Sequence, residues 1–171
     1  KDLELKEEEE KKDKALNEAI NLCDKMERAE IYAAVERDDK HRVTPEKIDS
    51  LSDGEVFVFG SNKDGHHMGG AAKAAAKHFG AVWGQGDGLQ GQSYAISSME
   101  GIVEMAKNIN RFIEFAKGHQ ELKFLVTPIG CGIAGYKPEQ VAPLFRKAIL
   151  LQNVTLPKSF WEYYCITEAG R

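Results

Sequence analysis

The sequence predicts an α/β fold: three α/β/α layers around a mainly parallel or mixed sheet, preceded by an N-terminal helical segment. Three observations carry this. Apolar runs of strand length alternate with amphipathic runs of helix length. Two of those apolar runs end in glycine-rich loops that lead toward helices. The charge balance also breaks near residue 50, with 11 Lys/Arg against 16 Asp/Glu in residues 1–50, and 12 against 11 in residues 51–171. Two units are therefore expected, an acidic helical segment at 1–50 and an α/β domain at 51–171.

Residues 2–35 read as helix. They contain no Gly or Pro, and Leu16, Ala19, Ile20, Cys23 and Met26 recur at three- and four-residue steps. Glu7 to Glu10, followed by Lys11 and Lys12, allows ion pairs one turn apart. Such a helix either packs on the domain or serves as an arm for a protein partner. Asp38 to Pro45 reads as the connection.

Val56-Phe57-Val58-Phe59 is an apolar run of the kind found in strands buried on both faces, and Gly60-Ser61-Asn62 ends it. Residues 70–79 are alanine-rich and helical. Val82 and Trp83 suggest the start of a further strand, and Ser93 to Ile96 another. Ser97 and Glu100 have the spacing of a capping box. After them Ile102, Met105, Ala106, Ile109, Phe112, Ile113 and Ala116 trace one helix face, and Gly118 suits its end. Phe124 to Thr127 is the next strand, and a loop from Pro128 to Tyr136 follows it. A helix then turns Val141, Ala142, Phe145, Ala148 and Ile149 inward, with Pro143 in its first turn. Val154 to Leu156 is the last candidate strand.

Composition narrows the function. The formal charge of −4 offers no basic surface for nucleic acid. Cys23, Cys131 and Cys165 are scattered and odd in number, which argues against a structural zinc site and for a reducing, cytoplasmic setting. No apolar run has membrane-spanning length, and the charged first residues show no signal-peptide pattern.

The chemistry is expected in the loops. In a parallel sheet, the loops after Phe59 and after Val126 lie at the carboxyl ends of their strands, where ligands bind. Glycines let the backbone approach a ligand, and amides at a helix start favour anions. A diphosphate held between the two loops is the natural expectation; plain tight turns are the alternative. Gly86-Asp87-Gly88-Leu89-Gln90-Gly91 matches GxGxxG, but it leads into a strand instead of a helix, so a Rossmann site is rejected. It reads instead as a long loop near the site, with Gln85, Gln90 and Gln92 available for hydrogen bonding.

The two loop patterns, FVFGSN…GHHMGGAAKAAAKHFG and FLVTPIGCGIAGY, resemble a bacterial and phage branch of the macro-domain-like proteins. The resemblance spans about residues 54–161. It implies binding of ADP-ribose or a related NAD-derived nucleotide; no cofactor is expected, and His66, His67 and His78 do not form HExxH, so no metal is expected either. It also admits hydrolysis at the distal ribose, of an ADP-ribosyl ester or a 1″-phosphate; a non-catalytic reader or sequestering module is the other reading. A third reading makes the domain a scaffold and gives the N-terminal helix the contacts. By the same resemblance, Asn62 meets the distal ribose, and Met68, Gly69, Gly70 and Ala71 flank the diphosphate. Gly130, Cys131, Gly132, Ile133, Ala134, Gly135 and Tyr136 wrap it, with the Tyr136 ring by the ribose. Two departures stand out. His67-Met68 precede only two glycines where the pattern has three, and only Asp49 and Asp53 offer themselves as the adenine-reading aspartate.

Asn62, Asp64, His66 and His67 are the catalytic candidates. Either histidine is suited to acid–base work, and Asp64 to holding water or ribose hydroxyls. Each also has a bland role, a backbone-bonded loop histidine or a turn-forming aspartate. Cys131, between two glycines, is a candidate nucleophile if the surrounding amides lower its pKa, and otherwise fills the loop floor.

Overall fold

The computed structural model describes residues 1–23, 28–37 and 42–169. Helices α1 (Asp2–Cys23) and α2 (Arg28–Arg37) come first. The α/β elements follow as β1 (Glu55–Ser61), α3 (Gly70–His78), β2 (Gly88–Gln90), β3 (Ser93–Ser97), α4 (Ile102–Lys117) and β4 (Lys123–Val126). After them come α5 (Pro138–Val141), a 3₁₀ helix (Ala142–Leu150), β5 (Val154–Thr155) and α6 (Lys158–Tyr164). Met26 and the start of the connection at Asp38 lie outside the described residues.

The sheet has the order β2-β3-β1-β4-β5 and is parallel except for β2, which pairs antiparallel with β3. Alternation along β1 divides the core. Val56 and Val58 face α4, the 3₁₀ helix and α6, while Phe57 and Phe59 face α3. The Ala72 and Ala75 face of α3 is small enough to let that helix lie close over the two phenylalanine rings. On the other side, α4 buries its whole predicted stripe, and Phe112 packs against both Phe124 and Phe145. Truncating such a ring to alanine costs about 3–5 kcal/mol.

The first crossover, from β1 through α3, leads to β3 on one side. The second, through α4, returns across the opposite face to β4 on the other side. The strand order thus reverses at β1, and a crevice opens outside the carboxyl ends of β1, β3 and β4.

The N-terminal helices pack on this body. Ala19, Ile31 and Val35 are buried in the main core, and α1 packs on α4 and the 3₁₀ helix. Residues 1–14 are exposed. Val43 bridges to Leu156, so residues before the composition break extend the sheet edge. Among the described residues, no helix is long and apolar enough to cross a membrane.

Three local expectations are corrected. Val82 and Trp83 form an exposed turn, because the chain reverses between Gly80 and Gly84 and offers no ladder partner. The Ser97 hydroxyl does donate to Glu100, but α4 begins only at Ile102 with Gly101 as its N-cap, so the pair is not a capping box. The stretch with Pro143 is α-helical only through Val141 and then 3₁₀, with the proline in the first turn of that second piece.

Candidate functional site

The crevice holds a cavity of about 550 Å³, built from three strand ends. The β1 end contributes Gly60, Asn62, Asp64, His66 and Met68. The start of α3 adds Gly69, Gly70 and Ala71, the β3 end Ser98 and Met99, and the β4 end Thr127 to Gly130 with Gly132, Ile133 and Ala134. Two loops 60 residues apart in sequence therefore face one space. They nearly touch: a methyl on Gly69 would lie 3.9 Å from Ile133 Cδ1.

The first loop is held by its neighbours. Asn62 Oδ1 accepts the His66 N–H at 3.0 Å, and Asn62 Nδ2 donates to the His66 carbonyl at 3.1 Å. This leaves the amide one hydrogen and one lone pair for a ligand. The Lys63 N–H donates to Glu100 at 2.9 Å. Burial pushes the Glu100 carboxyl up, but hydrogen bonds from Ser97 and from backbone amides, including Lys63, outweigh it and hold the group below its ordinary value. Behind the loop runs the Val82–Gly86 turn. Gly84 N–H donates to Gly65 O at 3.0 Å, and the two backbones meet where both residues are glycine. A methyl on Gly65 would lie 2.3 Å from Gln85 N, and one on Gly86 would lie 2.1 Å from Asn62 O.

The literal GxGxxG stretch thus supports the site from behind. Its glutamines are engaged: Gln90 is buried and binds Val82 N–H, Gln85 O and Gly88 O, and Gln85 donates to Asp87 O and Leu89 O. Gln92 donates to Ser52 O and Glu55 O. The expectation that these side chains are available is corrected. Asp87 anchors the stretch to α4 through Arg111; burial raises its carboxyl above the ordinary value despite that partner.

The adjacent histidines part company. His67 is 4% exposed; its Nε2 lies 2.8 Å from Val82 O and its Nδ1 lies 3.3 Å from Ser61 Oγ. A carbonyl only accepts, so Nε2 donates to Val82 O. His66 borders the cavity, and its ring stacks on Trp83 with centroids 4.9 Å apart and planes at 13°.

The second loop is held by its own backbone. Cys131 N–H donates to Pro128 O, Gly135 N–H to Gly132 O, and Tyr136 N–H to Gly130 O. Gly130 has φ +75°, and a methyl there would meet Met105 Sδ at 3.0 Å. Cys131, Gly135 and Tyr136 do not border the cavity. The Tyr136 ring lies beside Gly130 and packs, partly buried, against the main core. Burial, with Glu139 nearby, pushes the Cys131 thiol up to about 11, and Sγ faces Ile129 O at 3.5 Å. The condition for a nucleophilic Cys131, a pKa lowered by surrounding amides, is not met, because desolvation dominates.

A second cavity, of about 670 Å³, adjoins the first, and Gly70, Ala71, Thr127 and Pro128 line both. Phe57, Ala74, Ile48 and Pro157 give it an apolar lining, and Glu46, Lys47, Lys158, Ser159 and Glu162 also border it. Sequence reading did not find it, since its walls come from five separate segments. Ser98, Met99 and Thr127 were also missed, although the first one or two residues after each parallel strand are a usable signal for them. Neither adenine candidate is there. Asp49 is exposed beside Lys47, and Asp53 borders a shallow depression at the opposite end of the sheet. Among the described residues, no cluster of three or more His, Cys, Asp or Glu is placed to hold a metal ion.

The molecule is an α/β protein with a mixed, mostly parallel five-stranded sheet and an open crevice at its switch point. No family model, curated protein or solved structure matches the chain.

Proposed function

We propose that the two adjoining cavities bind an ADP-ribose-like nucleotide, with its diphosphate between the start of α3 and the 130–134 loop. One observation carries this reading. Unpartnered amides from both loops border the same space. A helix leaves its first N–H groups without intrahelical acceptors, and no side chain caps α3. In the second loop, no acceptor is placed among the described residues for the N–H groups of Gly132, Ile133 and Ala134. Amide donors of this kind favour anions, and hydrogen bonds to a charged oxygen contribute about 1.5–3 kcal/mol each.

The macro-domain resemblance points the same way, with one change in the base-reading role. In place of Asp49 or Asp53, Glu46, or Glu162 with its Lys158 neighbour 3.8 Å away, serves as acceptor for an adenine amino group in the second cavity. A thermal-shift panel tests the reading. ADP-ribose at 100 times its Kd adds about 2.7 kcal/mol, which raises Tm by roughly 5–10 °C in a chain of this size. No rise with ADP-ribose, ADP, ATP or NAD contradicts it.

Asp64 and His66 border the same end of the cavity as Asn62, and this placement favours a second reading, hydrolysis at the distal ribose. Loss of ADP-ribose from a modified protein, or phosphate release from ADP-ribose 1″-phosphate, that falls at least tenfold in Asp64→Asn supports hydrolysis. Binding without turnover leaves a reader or sequestering module.

A further inference from the structure

The order of features along the crevice says more about the ligand. Ile48, Glu46 and Glu162 border only the second cavity, and Asn62, Asp64 and His66 border only the first. Gly70 and Ala71, at the amide-bearing start of α3, border both. A partly apolar pocket of a size to take a planar ring therefore lies at one end and unpartnered amides in the middle; at the other end stands His66, whose ring stacks on Trp83 just outside the cavity lining.

That pair is unusual in its setting. Trp83 is 59% exposed, so it adds little to the core. A single exposed apolar residue is ordinary on a protein surface. This one lies nearly parallel to a histidine that borders the cavity, and its backbone is held in place. Val82 N–H donates to Gln90 at 2.7 Å, His67 donates to Val82 O at 2.8 Å, Gln85 N–H donates to Val82 O at 3.1 Å, and Gly84 N–H donates to Gly65 O at 3.0 Å. A ring held still before a ligand arrives has less entropy to lose on stacking.

We propose, resting on the nucleotide reading above, that the preferred ligand is a dinucleotide with a second planar ring at its distal ribose. That ring, of the nicotinamide type, stacks on the His66–Trp83 pair. Ring, ribose, diphosphate, ribose and ring then follow the crevice from the second cavity to Trp83. A nucleic-acid strand is a poorer fit, because the chain is acidic overall and the two lysines that border the second cavity, Lys47 and Lys158, each lie beside a carboxylate, Asp49 and Glu162.

Calorimetry on the full chain with ADP-ribose, NAD and NADH tests this. Aromatic stacking is expected to make both NAD and NADH bind about 5–10-fold more tightly than ADP-ribose. Including the reduced form separates stacking from the charge of the oxidised ring. Trp83→Ala should abolish the gap and leave ADP-ribose affinity within about twofold, while Trp83→Phe keeps most of it. An independent readout needs no variant: the only other tryptophan, Trp161, is buried, so quenching of the exposed tryptophan by NAD and not by ADP-ribose reports the stack. Equal or tighter binding of ADP-ribose, equal weakening of all three ligands by Trp83→Ala, or no quenching specific to NAD overturns the inference. If ADP-ribose binds without any such gap, only this inference falls; if no nucleotide binds, the underlying reading falls as well.

Discussion

The two loops that face the crevice read alike in sequence and are built in opposite ways. The 62–69 loop has the Asn62–His66 bonds within it but is held mainly from outside, by Glu100, by the Val82 carbonyl on buried His67 and by a second backbone packed against Gly65 and Gly86. The 128–136 loop is held from inside, by successive backbone turns and a left-handed Gly130. Support from outside fixes where side chains point, and this loop carries Asp64 and His66. Turns made by the chain itself leave N–H groups facing outward, and this loop carries the amides. A division of labour follows: one loop positions side chains, the other presents donors.

The largest expected effect comes from breaking the outside support. Gly86→Ala drives a methyl against Asn62 O, and no flexible side chain is there to yield. A loss of about 3 kcal/mol is expected, or a Tm drop of roughly 6–12 °C, together with loss of nucleotide binding. A stable Gly86→Ala variant with normal binding would mean that the first loop does not depend on its neighbour. Gly130→Ala breaks the inside support instead. The positive φ and the Met105 contact together cost about 1–2 kcal/mol. Calorimetric unfolding should place it between Gly86→Ala and wild type.

Charge separates the donor role from the fold. Gly132 has open space around it and borders the cavity. Gly132→Asp is expected to change stability by less than about 0.5 kcal/mol. It should weaken binding of a diphosphate at least tenfold, with the effect shrinking at high salt. Unchanged affinity for ADP-ribose would remove the donor role from this loop.

The smallest effect concerns Cys131. Its thiol ordinarily titrates near 9 and is pushed up to about 11 in the folded protein. A raised pKa favours the neutral thiol. Its contribution is therefore fully present below pH 9 and is lost as pH rises toward 11. Alkylation at this site should be slow at neutral pH and still accelerating above pH 9. Cys131→Ser should leave nucleotide binding unchanged. A rate that levels off below pH 8 would indicate an activated thiolate.

Much of this architecture is legible in the sequence, and for definable reasons. The Val56–Phe59 run, the Phe124–Thr127 run and the stripe from Ile102 to Ala116 are long or strongly periodic, and each becomes the expected element. Weak local signals fare worse. Val82-Trp83 has strand-like side chains but sits in a turn, and β2 is three residues long within a glycine-rich stretch. In the site, the glycines announce both loops, so Asn62, Met68 to Ala71 and Gly130 to Ala134, Cys131 apart, can be placed on the crevice. Adjacent histidines carry no such signal. His66 and His67 differ only in which way the folded loop turns each ring. Tyr136 and Cys131 turn away from the cavity for the same kind of reason, and the second cavity depends on segments that meet only in three dimensions.

The central claim is that a diphosphate lies between the amides of two loops. Titrating ADP-ribose into the ¹⁵N-labelled full chain, and following each backbone amide by NMR, tests it most directly. The account predicts the largest shifts at Gly70, Ala71, Gly132, Ile133 and Ala134, saturating together with one affinity. Shifts confined to other parts of the molecule, or none at millimolar ligand, would contradict it.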